Sequence, residues 1–361
     1  MGEELRKLGC AVTLLVSPKE VDQQAVRAVQ DMEVVTLPMV GLTRGNVLQF
    51  ARCAWSSYRQ CRTLFRRRKP QAVVAMGGFT SVPPVLAGRS VGAKTFLHES
   101  NSIPGRSNWL LARRVDAAFV YFPQAAGRLR WRRVEVVGMP VRRCLLEPME
   151  AGAARAALGL HPDQPVLLVV GGSQGARGVN ELVCGALPRL REAMPALQFI
   201  HLTGPLDFEK VRAAYAPLQA RAVVRAFLPE MELALASATL AVSRAGASSL
   251  AELAARRLPS ILVPYPSAAN NHQFFNAQAF VESDAARMVL QGHVRPGLMA
   301  DEILQLAGDP GRQAAMSWAL ERWRTPEAAG TMAGAILRAI ENAENGEARL
   351  SQPPKPKVLH V

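Results

Sequence analysis

The stretch 165-PVLLVVGGSQGARGVNELV-183 decides the fold. Its apolar run 166–170 reads as a strand. Glycines at 171, 172, 175 and 178 then mark a turn, after which helical spacing resumes. Strand, glycine-rich turn and helix in that order open a doubly wound βαβ unit. The turn itself has two readings. Glycine permits tight bends and close helix packing. It also lets backbone N–H groups and the positive end of a helix approach an anion, with the Ser173 hydroxyl as a further donor.

The same rhythm runs outward in both directions. Short apolar segments at 11-AVTLLVS, 33-EVVTLP, 72-AVVAMGG, 94-KTFLHE, 117-AAFVYFP and 134-VEVVG precede the stretch, with amphipathic sequence between them. After it come 198-QFIHLTG, 222-AVVRAFL, 239-TLAVSRAG and 260-SILVPYP. Such alternation predicts an α/β fold of two Rossmann-like, doubly wound parallel-sheet domains. The rhythm pauses over 146–165, which sets an N-terminal domain at 1–148 and a C-terminal domain at 149–325. A helix is expected at 326–345, then a disordered Pro- and Lys-bearing tail at 346–361. Because the chain opens on 3-EELRKLGCAVTLLV, helix then strand, the N-terminal domain is expected to lack the usual first strand and glycine-rich loop.

At 361 residues, 49% hydrophobic and 20% charged, the chain has apolar material for two cores. Forty-three Lys and Arg against 29 Asp and Glu leave a net charge of +14, which points to an anionic partner: nucleic acid, acidic lipid or a phosphorylated substrate. Five scattered cysteines without CxxC spacing suggest neither a disulfide framework nor a zinc site, and fit a reducing compartment. The opening residues lack the apolar run of a signal peptide. The uncharged stretch 70–88 is broken by Gly77-Gly78 and Pro83-Pro84 and cannot span a bilayer, so any membrane contact is expected to be peripheral.

A second glycine-rich turn, 243-SRAGASSLAEL-253, also leaves a strand and enters a helix, with Ser248 and Ser249 in the first helical turn. Ligands of parallel sheets sit beyond the carboxyl ends of the strands, so the two turns face one crevice. Glu252 is placed either to accept hydrogen bonds from sugar hydroxyls or to stand as a solvated helix acid. In 264-PYPSAANNHQFFNAQAF-280, Asn270, Asn271, His272, Gln273 and Asn276 crowd a loop entering a helix. Their amides suit sugar hydroxyls, although asparagine also caps helices and makes turns.

Together GGSQGARGVNE, SRAGASSLAELAA and the NNHQFFNA loop resemble the bacterial MurG family, which joins N-acetylglucosamine to a lipid-linked muramoyl-pentapeptide. In the first domain 76-MGGFTSVPPVLA, 97-LHESNSIPGRSNWLLAR and 137-VGMPVR are similar to that family's GGY, HEQN-G and GNPVR motifs, in the same order. The resemblance implies the glycosyltransferase-B architecture, two Rossmann-like domains facing a cleft with the last helix packed back on the first. It implies an inverting transfer from UDP-N-acetylglucosamine to the 4-hydroxyl of the lipid-linked acceptor (lipid I to lipid II) in peptidoglycan synthesis, with no cofactor and no metal.

On matching positions, Asn101 would contact the acetylglucosamine, Arg142 would reach the donor from the first domain and Ser173 would bind the diphosphate. Leu228 in 226-AFLPEM would cover the uracil, and Gln273 would read the sugar. Ala247, Ser248, Ser249, Leu250, Ala251 and Glu252 would follow the diphosphate and ribose, with Glu252 on the ribose hydroxyls. Without a metal, backbone N–H groups, Ser173, helix dipoles and Arg142 or Arg244 must stabilise the departing diphosphate. The family's first-loop histidine has no counterpart here. His98 or Glu99 stands as a substitute catalytic base, or as a structural hydrogen-bond partner. Other departures are Ser100 for the family's Gln, Met139 for Asn, and His272 for the first of two Gln. Two readings stand beside this one: another glycolipid glycosyltransferase, and an inactive membrane-associated homologue.

In 46-NVLQFARCAWSSYRQCRTLFRRRKP-70, Val47, Ala51, Ala54, Tyr58, Cys61 and Phe65 recur at helical spacing and predict a buried face. Trp55 lies partly off it beside Arg59, Arg62, Arg66 and Arg67, and Trp131 sits among Arg128, Arg130, Arg132 and Arg133. Aromatic residues among arginines suit an anionic lipid surface, although a solvated basic face is the commoner role of such a helix. The resemblance favours lipid, at the cytoplasmic face of the bacterial inner membrane. No zinc-finger, RRM or KH signature accompanies the charge, so nucleic acid is not the expected partner.

Overall fold

A computed structural model of the chain describes residues 1–27, 32–43, 45–129, 133–172, 175–218 and 220–350. The N-terminal domain carries β1 (Thr13–Val16), β2 (Glu33–Thr36), β3 (Ala72–Ala75), β4 (Lys94–Glu99), β5 (Ala117–Val120) and β6 (Val134–Val136). The C-terminal domain carries β7 (Val166–Val170), β8 (Gln198–Leu202), β9 (Ala222–Arg225), β10 (Leu240–Ser243), β11 (Ser260–Leu262) and β12 (Arg287–Met288). Every pairing among the described residues is parallel. Sequence patterning finds all of these strands except β12, whose two residues are too few to show a period.

The C-terminal sheet has the order β12-β11-β10-β7-β8-β9. From β7 the chain winds outward through β8 and β9, then returns to the other side of β7 as β10 and winds outward again. The winding reverses between β7 and β10, which is where doubly wound sheets bind ligands. The unbroken apolar run of β7 follows from cover on both faces. Val166 and Leu168 enter a core shared with the helix Ala247–Ala255, whereas Leu167 and Val169 enter another with the helices Arg177–Ala193 and Pro296–Ala307.

In the N-terminal domain the order is β3-β4-β5-β6, while β1 and β2 pair with each other in a separate two-stranded sheet. Leu15 of β1 and Val35 of β2 nevertheless join Val73 and Ala75 of β3 in one core, packed with Cys61 and Phe65 of the helix Val47–Arg68. The buried face of that helix is shorter than its periodicity predicts: Val47 and Ala51 are exposed. The helix runs 22 residues, and its covering neighbour Val82–Ser90 runs nine, too few to shield its whole length.

The opposite face of the N-terminal sheet is covered by the last helix, Ala328–Leu350, which crosses back from the C-terminal domain. It continues past the expected end at 345, and residues 351–361 of the expected tail lie outside the described residues. Met332 and Ile336 bury against Phe96 and Phe119, whose rings stack 6.0 Å apart. Each such side chain stabilises the crossing by about 2–3 kcal/mol relative to solvent exposure. The crossover is pinned at Gly138, where φ is +91° and a Cβ would stand 2.2 Å from Thr325 Oγ1. Trp323 stacks on Phe280 at 4.4 Å, and its ring nitrogen donates to Ser283 Oγ at 2.8 Å. No helix among the described residues is long and apolar enough to cross a membrane.

Candidate active site

The two glycine-rich turns lie at the carboxyl ends of β7 and β10, on either side of the reversal in winding. In the first, Gly172 adopts φ +88° and Gly175 φ +76°, and Gly175 N donates to Gly172 O at 2.9 Å to close the turn. A Cβ on Gly175 would stand 2.3 Å from Thr203 O, so the loop is pressed against the segment that follows β8. Ser173 and Gln174 lie outside the described residues.

That contact is braced from below. Asn180 Nδ2 donates to Thr203 O and to Asp207 Oδ2, both at 2.9 Å, and its Oδ1 accepts from His201 Nε2 at 3.0 Å. Tyr215 completes the line by donating to His201 Nδ1 at 3.1 Å. Burial pushes the His201 imidazole down to about 3, so it is neutral and serves as one donor and one acceptor. This network ties the start of the helix Arg177–Ala193 to the loop that presses on Gly175. A histidine within an apolar strand carries no sequence signal of it.

The second turn enters the helix Ala247–Ala255 through Gly246, which has no side chain to cap it. The N–H groups of Ala247, Ser248 and Ser249 precede the first intrahelical bond, Leu250 N to Gly246 O at 3.0 Å, and are open to an anion. Ala247, Leu250 and Ala251 are buried supports for that turn, Ser248 is exposed and Ser249 half-buried. Glu252 is partly exposed, one turn further on; burial raises its carboxyl above the usual range and the Arg142 guanidinium opposes the rise. The structure thus brings Arg142, from the N-terminal domain, into the field of Glu252. Arg244 is spoken for by the scaffold: Nη1 donates to Val263 O and Pro264 O at 3.0 and 3.1 Å, and Nη2 to Gln291 Oε1 at 2.7 Å. Leu228 is 8% exposed and packs into the core beside these elements.

From the other domain the carboxyl end of β4 brings His98 and Glu99. His98 is buried, its Nε2 lies 2.8 Å from Gly138 O, and burial lowers its pKa, so the neutral ring donates to that carbonyl. Glu99 Oε1 accepts from Asn101 N and Nδ2 at 2.9 and 3.3 Å, and Oε2 from Gly105 N and Asn108 Nδ2 at 2.8 and 2.9 Å. Both carboxyl oxygens are occupied and the residue is 2% exposed. The geometry therefore favours the structural reading of both side chains over the catalytic one.

Across the cleft, Asn276 of the helix His272–Val281 reaches the same loop. Its Oδ1 accepts from Ser102 N at 2.9 Å, and its Nδ2 donates to Asn101 Oδ1 at 3.1 Å and to Ala245 O at 3.2 Å. Gln273 is half-buried and accepts from Tyr265 N at 3.0 Å, which leaves its amide N–H groups as what it can offer a ligand. Asn270 and Asn271 take φ of 52° and 54°, the turn-making role open to asparagine. The bridging role of Asn276 is not assigned by motif reading. Its spacing of three from Gln273, one helical turn, was the available signal.

On the helix Val47–Arg68, Trp55 is 63% exposed and stacks on Tyr58 at 5.6 Å, with Arg59, Arg66 and Arg67 exposed and Arg62 half-buried. Leu48 is 82% exposed, and Trp109 and Leu110 are exposed on the segment between Arg106 and Arg113. Sequence reasoning missed that pair because Trp109 falls inside a motif read for its Asn and Gly. Trp131 lies outside the described residues.

Comparison with known proteins agrees with this architecture. Residues 1–120 match the glycosyltransferase family 28 N-terminal domain and residues 166–331 its C-terminal domain. The chain is 38% identical over 296 residues to the UDP-N-acetylglucosamine--N-acetylmuramyl-(pentapeptide) pyrophosphoryl-undecaprenol N-acetylglucosamine transferase of Anaeromyxobacter dehalogenans, covering 82% of this chain and 74% of that one. It is 40% identical over 303 residues to the Sorangium cellulosum protein of the same name, covering 83% and 73%. The crystal structure of Acinetobacter baumannii MurG superposes with a TM-score of 0.73 at 25% identity, over 93% of this chain and 94% of the other. The chain belongs to glycosyltransferase family 28 and, within it, to the MurG family.

Proposed function

We propose that the chain moves N-acetylglucosamine from UDP-N-acetylglucosamine to the 4-hydroxyl of undecaprenyl-diphospho-N-acetylmuramoyl-pentapeptide, with inversion. The observation that carries this reading is the pair of open glycine turns flanking the switch of a doubly wound sheet, in a chain 40% identical to a transferase named for that reaction. The acceptor oxygen forms a bond to the anomeric carbon as the bond from that carbon to the diphosphate breaks. The electron pair leaves with UDP and the hydroxyl proton is lost to a base. Charge developing on the diphosphate falls within reach of the N–H groups of Ala247, Ser248 and Ser249, the loop bearing Ser173, and Arg142. Glu252 takes the ribose hydroxyls, Leu228 the uracil edge, and Asn101 and Gln273 the sugar. Glu99 holds the loop that carries Asn101, and His98 holds the turn at Gly138 that leads to Arg142. Acceptor-dependent release of UDP from UDP-N-acetylglucosamine tests the reading, and its absence from the well-folded full chain contradicts it.

The acceptor's lipid anchor sets where the reaction occurs, at the cytoplasmic face of the membrane in this reading. Trp55 and Leu48, exposed among Arg59, Arg62, Arg66 and Arg67, support docking on anionic lipid. The wild-type chain is expected to float with phosphatidylglycerol vesicles and not with phosphatidylcholine vesicles, and Trp55→Ser to weaken flotation about tenfold, given the apolar area lost. Equal flotation of the variant would remove Trp55 from the docking surface.

A further inference from the structure

The carboxamide of Asn101 is held from both ends. Its nitrogen donates to Glu99 Oε1, which can only accept, and its oxygen accepts from Asn276 Nδ2, which can only donate. Of the two orientations of the amide, one satisfies both neighbours and the other sets nitrogen against nitrogen and oxygen against oxygen. Glu99 and Asn101 belong to the N-terminal domain, Asn276 to the C-terminal one. Asn276 is itself fixed by Ser102 N and Ala245 O and is fully buried, so it has no freedom to turn its own amide over.

We infer that Asn276 is a positioning residue for the donor sugar. It sets which face of the Asn101 carboxamide the sugar meets, and it does so only when the two domains are closed on each other. The inference rests on the reading of Asn101 as a sugar contact under Proposed function. Its consequence is that sugar recognition and domain closure are one event. UDP, which lacks the donor sugar, places nothing against Asn101 and so draws nothing from the Asn276–Asn101 bond, whereas UDP-N-acetylglucosamine does.

The test compares dissociation constants for UDP and UDP-N-acetylglucosamine in the full-length wild type, Asn276→Ala, Asn101→Ala and the double variant. In Asn276→Ala the preference for the sugar nucleotide over UDP is expected to fall about tenfold, the scale of one or two hydrogen bonds. Affinity for UDP itself should change by less than about twofold, a difference below half a hydrogen bond. The double variant should have no less preference than Asn101→Ala alone. Because truncating a buried amide can unsettle the fold, Asn276→Asp gives an independent arm. It keeps the shape and the acceptor for Ser102 N, but sets a carboxylate oxygen against Asn101 Oδ1 and Ala245 O. It should lose the preference while retaining UDP binding. Retention of the wild-type preference in both variants overturns the inference, as does an equal loss for UDP and the sugar nucleotide. A wild type that shows no preference at all would overturn the sugar reading of Asn101 beneath it, a failure visible before any variant is made.

Discussion

Gly175→Ala is expected to weaken UDP-N-acetylglucosamine binding about a hundredfold, because the loop proposed to meet the diphosphate can no longer keep its place against Thr203. Two effects add at this position. The backbone sits at φ +76°, which disfavours any side chain by about 1–2 kcal/mol. The new Cβ would also stand 2.3 Å from Thr203 O and 2.8 Å from Gly204 Cα, both backbone atoms. Thr203 O cannot retreat, since it accepts from Asn180, which is held by buried His201. Overpacking adds about 1–3 kcal/mol, so the melting temperature of the C-terminal domain should fall by roughly 5–15 °C. Gly159→Ala separates the two effects, for it has φ +75° but nothing within 4 Å of its Cβ. It should cost the strain alone and leave binding intact. Donor binding unchanged in Gly175→Ala, at a lowered melting temperature, would detach the loop from the diphosphate.

The second large effect is expected at Glu252, with the opposite sign in stability. Burial raises its carboxyl pKa, so the ionised form is less favourable in the folded chain than in the unfolded one, and only Arg142 counters this. Glu252→Gln removes the charge at nearly constant volume and should leave the melting temperature unchanged or raise it. Activity should fall about 10- to 100-fold in kcat/KM, carried by KM for the donor, because a charged acceptor to a hydroxyl pair is replaced by a neutral one. The penalty should largely vanish with a donor whose ribose lacks the 2′-hydroxyl. An equal penalty on both donors would place Glu252 elsewhere than on the ribose.

Much of the fold is written locally, and most of what is missing is relational. The run at 166–170 announces a strand, and the structure covers its two faces with separate cores. Periodicity cannot say that β10 returns beside β7, yet that single crossover makes the turns at Gly172 and Gly246 neighbours of one crevice. The helix Val47–Arg68 shows the same limit: Val47 and Ala51 are in phase with Cys61, but the length of the neighbouring helix decides which of them is covered.

The site divides in the same way. Ser248, Ser249 and Glu252 are marked by their place in a glycine-led helix, and the structure sets them at the cleft. Glu99 and His98 have the residue types of catalysis, but their partners, Asn108 Nδ2 and Gly138 O among them, are brought by the tertiary fold. Asn276 sits in a visible amide cluster. Its contact with Asn101, 175 residues away in sequence, exists only across two domains. Residue type thus marked candidate groups, and long-range hydrogen bonding decides which of them are free.

The central claim is tested most directly by following the sugar itself. Full-length protein is incubated with radiolabelled UDP-N-acetylglucosamine and undecaprenyl-diphospho-N-acetylmuramoyl-pentapeptide in phosphatidylglycerol vesicles, and the lipid fraction is separated. The expected result is label in a lipid-linked disaccharide with a β1→4 bond, formed in step with UDP release and much reduced when Gly175→Ala replaces the wild type. Label that stays in the aqueous fraction as intact UDP-N-acetylglucosamine, with the protein folded and the donor bound, would contradict it.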